Sequence, residues 1–590
     1  MKFKLPSIFR TAVIEEKEEK KVDNNSTITE EKIRNYSNDK NVPEAVETQY
    51  GVRNAEASNQ VWTKEQLILV YILIWILQFI LALASGVNRS LTPYVTSSFK
   101  EHSLTTTTTV ISSIVSGVIV LPFAKLLNVW GRPQGFGIMV CSITIGLIMM
   151  AVCDSVKTFC AAQVFYVVGY NSITFSLTIF IADTTSLRNR AFMIAFTSSP
   201  WIATIWAAGP AAESILKTIG FRWGFGIWAI VVPIVSLPVF GLFYYNLVKA
   251  RKAGLIPKVE QDPKRGWKES IVYHAKEFDM VGLLLICSGL TLFLLSFNLY
   301  SHQPDEWRSP LIICFLIFGS LLIISFGAWE KWGASITFIP WELMMDRTVF
   351  FTFTMAASLY LSWYLWNGFF YSYLIVVHNL SVAHTTYITN IYTVGSTTWA
   401  IVMGIIIRYN GRLKWLALYF GVPVTILGVG LMIQFRQPDV HVGFIVMCQI
   451  FISLGGGTLV ICEQMTVMAV ASHQYVSAVL SMEYMIINIA SAIGSTIASA
   501  MWMGIFPKKL AYYLPEDSLD NLESIYGSIE VQSSYVYGSP ERNAISESYS
   551  DTQRLMLITS TCMYIITLIS VLFWKDIDVK KLKKIEDLIF

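Results

Sequence analysis

Residues 129–135 read VWGRPQG and residues 408–415 read RYNGRLKW, two short polar turns that carry the same Gly-Arg pair between long apolar stretches. An acidic residue follows each turn at the same interval: Asp183 lies 51 residues after Arg132, and Glu463 lies 51 residues after Arg412. Matched landmarks at matched spacing are what a duplicated unit gives, and weak internal symmetry of this kind marks secondary transporters. Gly131 and Gly411 each permit a tight turn between helices, and an arginine at the membrane face can bridge to a carboxylate at the end of another helix. Ordinary retention of basic side chains in inner loops explains either turn alone. The shared interval favours a gating network, Arg132 with Asp183 and Arg412 with Glu463, on an inner rim that also carries Arg190.

The rest of the chain is built for a bilayer. Of 590 residues, 54% are hydrophobic and 14% charged, where a soluble domain carries about 25% charge. A net charge of +3 without a long basic block gives no nucleic-acid footprint. Fourteen stretches, from 67–87 to 554–574, approach the roughly 20 apolar residues a spanning helix needs. The expected fold is an all-α membrane protein of fourteen transmembrane helices, in two six-helix bundles plus an inserted helix pair. Residues 1–66 are polar and charge-dense, without an early apolar segment, and read as a disordered cytoplasmic tail without a cleavable signal. The first bundle spans 67–247, a cytoplasmic linker 248–279, the inserted pair 280–329 and the second bundle 330–574, with a long outer loop at 506–553 and an inner tail at 575–590. Lysine and arginine concentrate in the loops that this arrangement places inside, which puts both termini in the cytoplasm.

Charged and amide side chains inside spans are costly and therefore face a partner or a cavity. Glu483, in SMEYMIIN, is the clearest and is the candidate proton-coupling residue, because desolvation favours the uncharged form of a carboxyl. A carboxylate capped by a helix neighbour is the plainer alternative. Tyr484 and Asn488 follow it, and Asn171 is a mid-span amide that either touches substrate or joins helices. The ninth span is crowded with aromatic rings, of which Tyr364, Trp366 and Tyr371 are candidates to hold a large, partly apolar ligand; an interfacial aromatic belt accounts for the outermost ones. Glu213 and Arg222 form a possible outer gate, although exposed ion pairs are often incidental. Tyr526, Tyr535 and Tyr537 lie in the outer loop, which is long for a plain connector. Sequons begin at Asn88 and Asn379. The eight cysteines have no paired metal spacing and the histidines are scattered, so no metal centre or cofactor is expected.

Several strings go further: PYVTSSFKEHS at 93–103, AKLLNVWGR at 124–132, IADTTSLRNRAF at 181–192, FRWGFGIWAIVVP at 221–233, FIPWELMMDRTVF at 338–350, and GGGTLVICEQMTVMAVASHQYVSAVL at 455–480 with IASAMWMGIFPKKL at 497–510. Together they resemble the fungal siderophore-iron transporters of the major facilitator superfamily, over nearly everything after residue 66. The resemblance implies proton-driven uptake of ferric siderophores by alternating access, with the loop before the last helix contributing to substrate handling. Two positions depart from the pattern: Asn128 stands where the superfamily turn usually has an aspartate, and Arg89 stands where an uncharged stretch is expected. A haem importer and a proton antiporter exporting drugs or thiol conjugates such as glutathione remain as alternatives; Gly209-Pro210 resembles the end of an antiporter signature. No nucleophile-base pairing and no GxxxxGK[ST] string is present, which argues against an enzyme and against ATP-driven transport. The expected partners are the chelate, protons and lipid, with the protein acting as a monomer, in the plasma membrane or else an endosomal or vacuolar one.

Overall fold

The computed structural model describes residues 50–98, 105–256, 276, 278–300, 303, 305–334, 341–471 and 475–580. The first 49 residues, most of the expected linker (257–275) and the last ten residues therefore lie outside the described residues. The described chain is almost wholly helical, which follows from the bilayer: with no water in the hydrocarbon, each amide has to be bonded within its own segment. After a short helix α1 (Tyr50–Asn59), the first bundle is built from α2 (Lys64–Ser98), α3 (Thr105–Val129), α4 (Arg132–Val152), α5 (Val156–Thr184), α6 (Leu187–Ser198), α7 (Pro200–Thr218) and α8 (Gly220–Lys252). The inserted pair is α9 (Met280–Leu299) and α10 (Pro310–Trp332). The second bundle comprises α11 (Arg347–Asn367), α12 (Phe370–Val376), α13 (Val382–Asn410), α14 (Val422–Phe435), α15 (Val442–Val470), α16 (Val476–Tyr513) and α19 (Pro540–Phe573), with two short helices, α17 (Leu522–Gly527) and α18 (Ile529–Ser534), between the last two.

Thirteen helical segments among the described residues are long and apolar enough to cross a membrane, and α3 adds a shorter apolar stretch at Ile114–Val129. That reproduces the fourteen-span plan. Two spans are broken in the middle. Pro200 has no amide hydrogen to continue the ladder, so Leu187–Thr218 runs as α6 and α7. Arg347–Val376 breaks at Phe369, whose φ of 57° is strained for a residue with a side chain and is held by its ring stacking on Trp502 at 4.1 Å.

Each bundle has its own apolar core, and the two cores exchange side chains at the end that carries the basic loops, the inner end. Leu187, Ala191 and Ala195 of α6 bury in the second core, whereas Val479, Leu480 and Met482 of α16 bury in the first. The inserted pair packs on itself and, through α9, on α3 and α16, where Thr496 Oγ1 donates to the Phe297 carbonyl at 3.3 Å. The opposite face of α10 exposes Ile317, Phe318, Leu321 and Ile324, as a lipid-facing helix should.

Two expectations are corrected. Residues 50–59 are not a disordered tail: α1 packs against α3, α5 and α8, with Gly51 so close to the backbone of Leu127 and Asn128 that a Cβ would not fit. The outer loop is also shorter than its sequence suggests, because α16 extends to Tyr513 and α19 begins at Pro540. What remains is pinned to the second bundle. Buried Arg542 donates from Nε to the Val376 carbonyl at 2.9 Å and from Nη1 to the Gln532 carbonyl, while Gln532 Nε2 donates to the Ile525 carbonyl at 2.8 Å and Gln532 Oε1 accepts from Tyr549 at 2.7 Å.

Candidate functional site

The Arg132–Asp183 pair expected in the first half is formed. Gly131, at φ 108°, takes a conformation that a side chain would resist and turns the chain from α3 into α4. That turn delivers Arg132 to the end of α5, where its Nε donates to Asp183 Oδ2 at 2.9 Å; both side chains are at least nine-tenths buried. Arg132 Nη1 also donates to Asn128 Oδ1 at 3.1 Å, and the same oxygen accepts from Ser477 Oγ of the second bundle at 2.6 Å. Arg190 Nη2 donates to the carbonyls of Ala182 and Thr185 at 2.6 and 3.1 Å, placing a cation on the negative end of the α5 dipole. Two further contacts seal the rim between bundles: Arg188 Nε donates to the Arg408 carbonyl at 3.2 Å, and Gly404 lies against the backbone of Phe192.

The second half does not repeat the ion pair. Gly411, at φ 79°, makes the turn, but Arg412 is exposed and its backbone bridges to Asp578 of the inner tail. Glu463 is fully buried, and neither carboxylate oxygen has a hydrogen-bond partner among the described residues. The expected Arg412–Glu463 pair is therefore absent, because the Asp578 segment holds the arginine's turn at the surface. Glu463 instead lies within electrostatic reach of Glu483, which is equally buried and equally unpartnered. Each sits seven residues from the inner end of its helix, α15 or α16, and hence at one depth, about 10 Å in. The expected outer gate is absent too: Glu213 pairs with Lys217 at 2.6 Å, one turn along its own helix, and Arg222 with Asp154 at 3.0 Å.

Between the bundles, half-buried side chains of Tyr170, Asn171, Tyr360, Tyr364, Tyr392, Tyr484 and Asn488 are gathered. Tyr484 meets Phe175 of the first bundle edge to face at 5.8 Å, and Tyr360 lies within electrostatic reach of both carboxylates. Asn171 donates to Ser116 Oγ at 2.8 Å and so joins α5 to α3, whereas Asn488 donates to the Tyr484 carbonyl at 2.6 Å, one turn back on its own helix. Trp366 is almost fully buried against Trp363 and Tyr392, and Tyr371 is exposed. Of the outer tyrosines, Tyr526 packs on Phe506 at 6.2 Å, Tyr535 is half-buried and Tyr537 is exposed. Asn88, the acceptor of the first sequon, is buried, whereas Asn379 is exposed. Tyr360, Tyr392 and the pairing of Glu463 with Glu483 were not among the expected site features. The hairpin that sets both glutamates at equal depth was the signal for that pairing.

The family model described as Major Facilitator Superfamily matches residues 74–495. Over 545 residues, 92% of either chain, the sequence is 52% identical to "MFS siderochrome iron transporter 1" of Ajellomyces capsulatus. The chain belongs to the siderophore-iron transporter family of the major facilitator superfamily. It is 41% identical to "Siderochrome iron transporter 2" of Aspergillus fumigatus, covering 90% of this chain and 87% of that one, and 38% identical to "Siderophore iron transporter mirB" of Emericella nidulans, covering 94% and 92%. Among solved structures, the MFS proton:xylose symporter XylE matches with a TM-score of 0.50 at 11% identity, covering 88% of this chain and all of that one, which speaks to the fold alone. This member of the family is a multi-pass membrane protein, and the relatives named are transporters.

Proposed function

We propose that this transporter imports ferric siderophores, coupled to protons, by alternating access between its two bundles, at the plasma membrane. The names of its relatives support the cargo. The observation that carries the coupling is the unpartnered pair Glu463 and Glu483. Burying a bare carboxylate costs several kcal/mol, and two like charges cost more, whereas protonation removes the penalty. A pair that is comfortable only with protons, beside the tyrosines that line the space between bundles, can load protons from the outer side and release them once the inner rim parts. The inner rim is closed here by Arg132, Asn128 and Ser477, which suits a carrier waiting for cargo from outside. The outer loop, packed as a cap on α12, α16 and α19, shapes the entrance. Growth of iron-starved, transporter-deficient yeast on single siderophores tests the reading: rescue by at least one ferric siderophore is expected, and failure on all of them, with the protein at the surface, refutes it.

A further inference from the structure

One charged side chain in the spans plays no part in the latch or in the carboxylate pair. Arg89 lies on α2, three residues before the end of its spanning segment, between buried Asn88 and buried Leu91. It is exposed, and it makes no hydrogen bond or ion pair among the described residues. It does not face lipid: it is within electrostatic reach of Tyr166 and Tyr170 of α5 and of Tyr364 of α11, so it opens between the bundles. Around it, the buried Tyr166 hydroxyl lies beside the side chains of Asn88 and Ser85, and Gln163 Nε2 donates to Thr92 Oγ1 at 3.3 Å. An uncompensated guanidinium here contributes nothing to holding the bundles together. A guanidinium offers a planar fork of donors matched to paired anionic oxygens, and aromatic rings on either side suit the apolar arms of an organic ligand.

We propose that Arg89 is a specificity residue that binds an anionic oxygen group of the cargo, and that this carrier prefers chelates bearing net negative charge, such as a free carboxylate on the ligand shell, over neutral ones. The inference rests on the reading of the protein as a ferric-chelate importer and narrows it. The Tyr166 hydroxyl, a donor within reach of Arg89, offers the second contact to the same group. Selection follows from the unpaired charge: an anionic group replaces water at the guanidinium, whereas a cationic chelate is repelled and a neutral one makes only ordinary hydrogen bonds.

The test uses radio-iron uptake by yeast lacking its own carriers, with two ferric tris-hydroxamates that differ by one appended carboxylate. The expected result is that wild type prefers the carboxylate-bearing chelate at least tenfold in uptake efficiency. Arg89→Gln brings the two chelates within about twofold of each other by slowing the charged one, and Arg89→Lys keeps a reduced preference. Equal uptake of both by wild type, or a ratio unchanged in Arg89→Gln, overturns the assignment of Arg89 while leaving iron-chelate import standing. The wild-type ratio decides even where Arg89→Gln fails to reach the membrane. Uptake of neither chelate, nor of any other ferric siderophore, overturns the import reading and this inference with it.

Discussion

Asp183→Asn tests the inner latch with little change of shape. In the structure Arg132 and Asp183 are 8% and 4% exposed and 2.9 Å apart. Removing one charge from a buried pair leaves the other uncompensated, at a cost of about 3–5 kcal/mol. The new amide oxygen still accepts one hydrogen bond from Arg132, and the Asn128 contact at 3.1 Å survives; a neutral bond returns about 1 kcal/mol. The net loss is then about 2–4 kcal/mol. Because Asn128 also accepts from Ser477, part of that loss falls on the inner-closed state, so the equilibrium shifts toward inner opening by roughly one to three powers of ten. The double variant R132M/D183N removes both charges and recovers most of the stability. Unfolding of the purified full-length protein in detergent, followed for the parent, both singles and the double, gives the coupling directly. Uptake of siderophore iron falls at least tenfold in D183N. Additive singles, with coupling below about 0.5 kcal/mol, refute the latch.

Three further expectations follow from the geometry. Gly404→Val places a side chain against the backbone of Phe192, which has nowhere to move; the inner rim should stay parted, a cysteine introduced at Ser477 should react faster with thiol reagents, and parental labelling and uptake would contradict it. His378, outside the spans, is pushed down to about 4 by burial and by nearby His441. A histidine whose folded value lies below its unfolded one adds stability that is complete above about 6.5 and is lost as pH falls from there toward 4. Unfolding temperature should therefore drop across that window, and His378→Gln should flatten the drop; an unchanged slope sinks the assignment. Arg542→Gln should loosen the outer cap, because the buried guanidinium bonds carbonyls on α12 and α18; proteolysis at residues 514–539 reads it, and parental resistance would show that the cap is held otherwise.

Much of the architecture was legible in the sequence because hydrocarbon imposes one rule, a long apolar helix per crossing, and the Gly-Arg turns marked the duplication. Arg132 and Asp183 were found for the same reason: a turn glycine and an acid at a helix end leave few geometries. The equal interval misled at Arg412 and Glu463, since spacing along the chain does not register that residues 577–579 return to pair with the turn at Gly411. Glu213 and Arg222 failed because exposed charges take the nearest partner, Lys217 and Asp154 respectively. Trp366 and Tyr371 share a short aromatic segment, yet one is buried and the other exposed; composition could not separate them, because the break at Phe369 rotates the helix between them.

Proton movement itself tests the central claim most directly. In proteoliposomes containing the purified carrier, adding a transported ferric siderophore outside should acidify the lumen in step with iron entry, and Glu483→Gln should abolish accumulation against a gradient while leaving insertion and ligand binding intact. Iron entry without luminal acidification, or full accumulation by Glu483→Gln, would contradict the account.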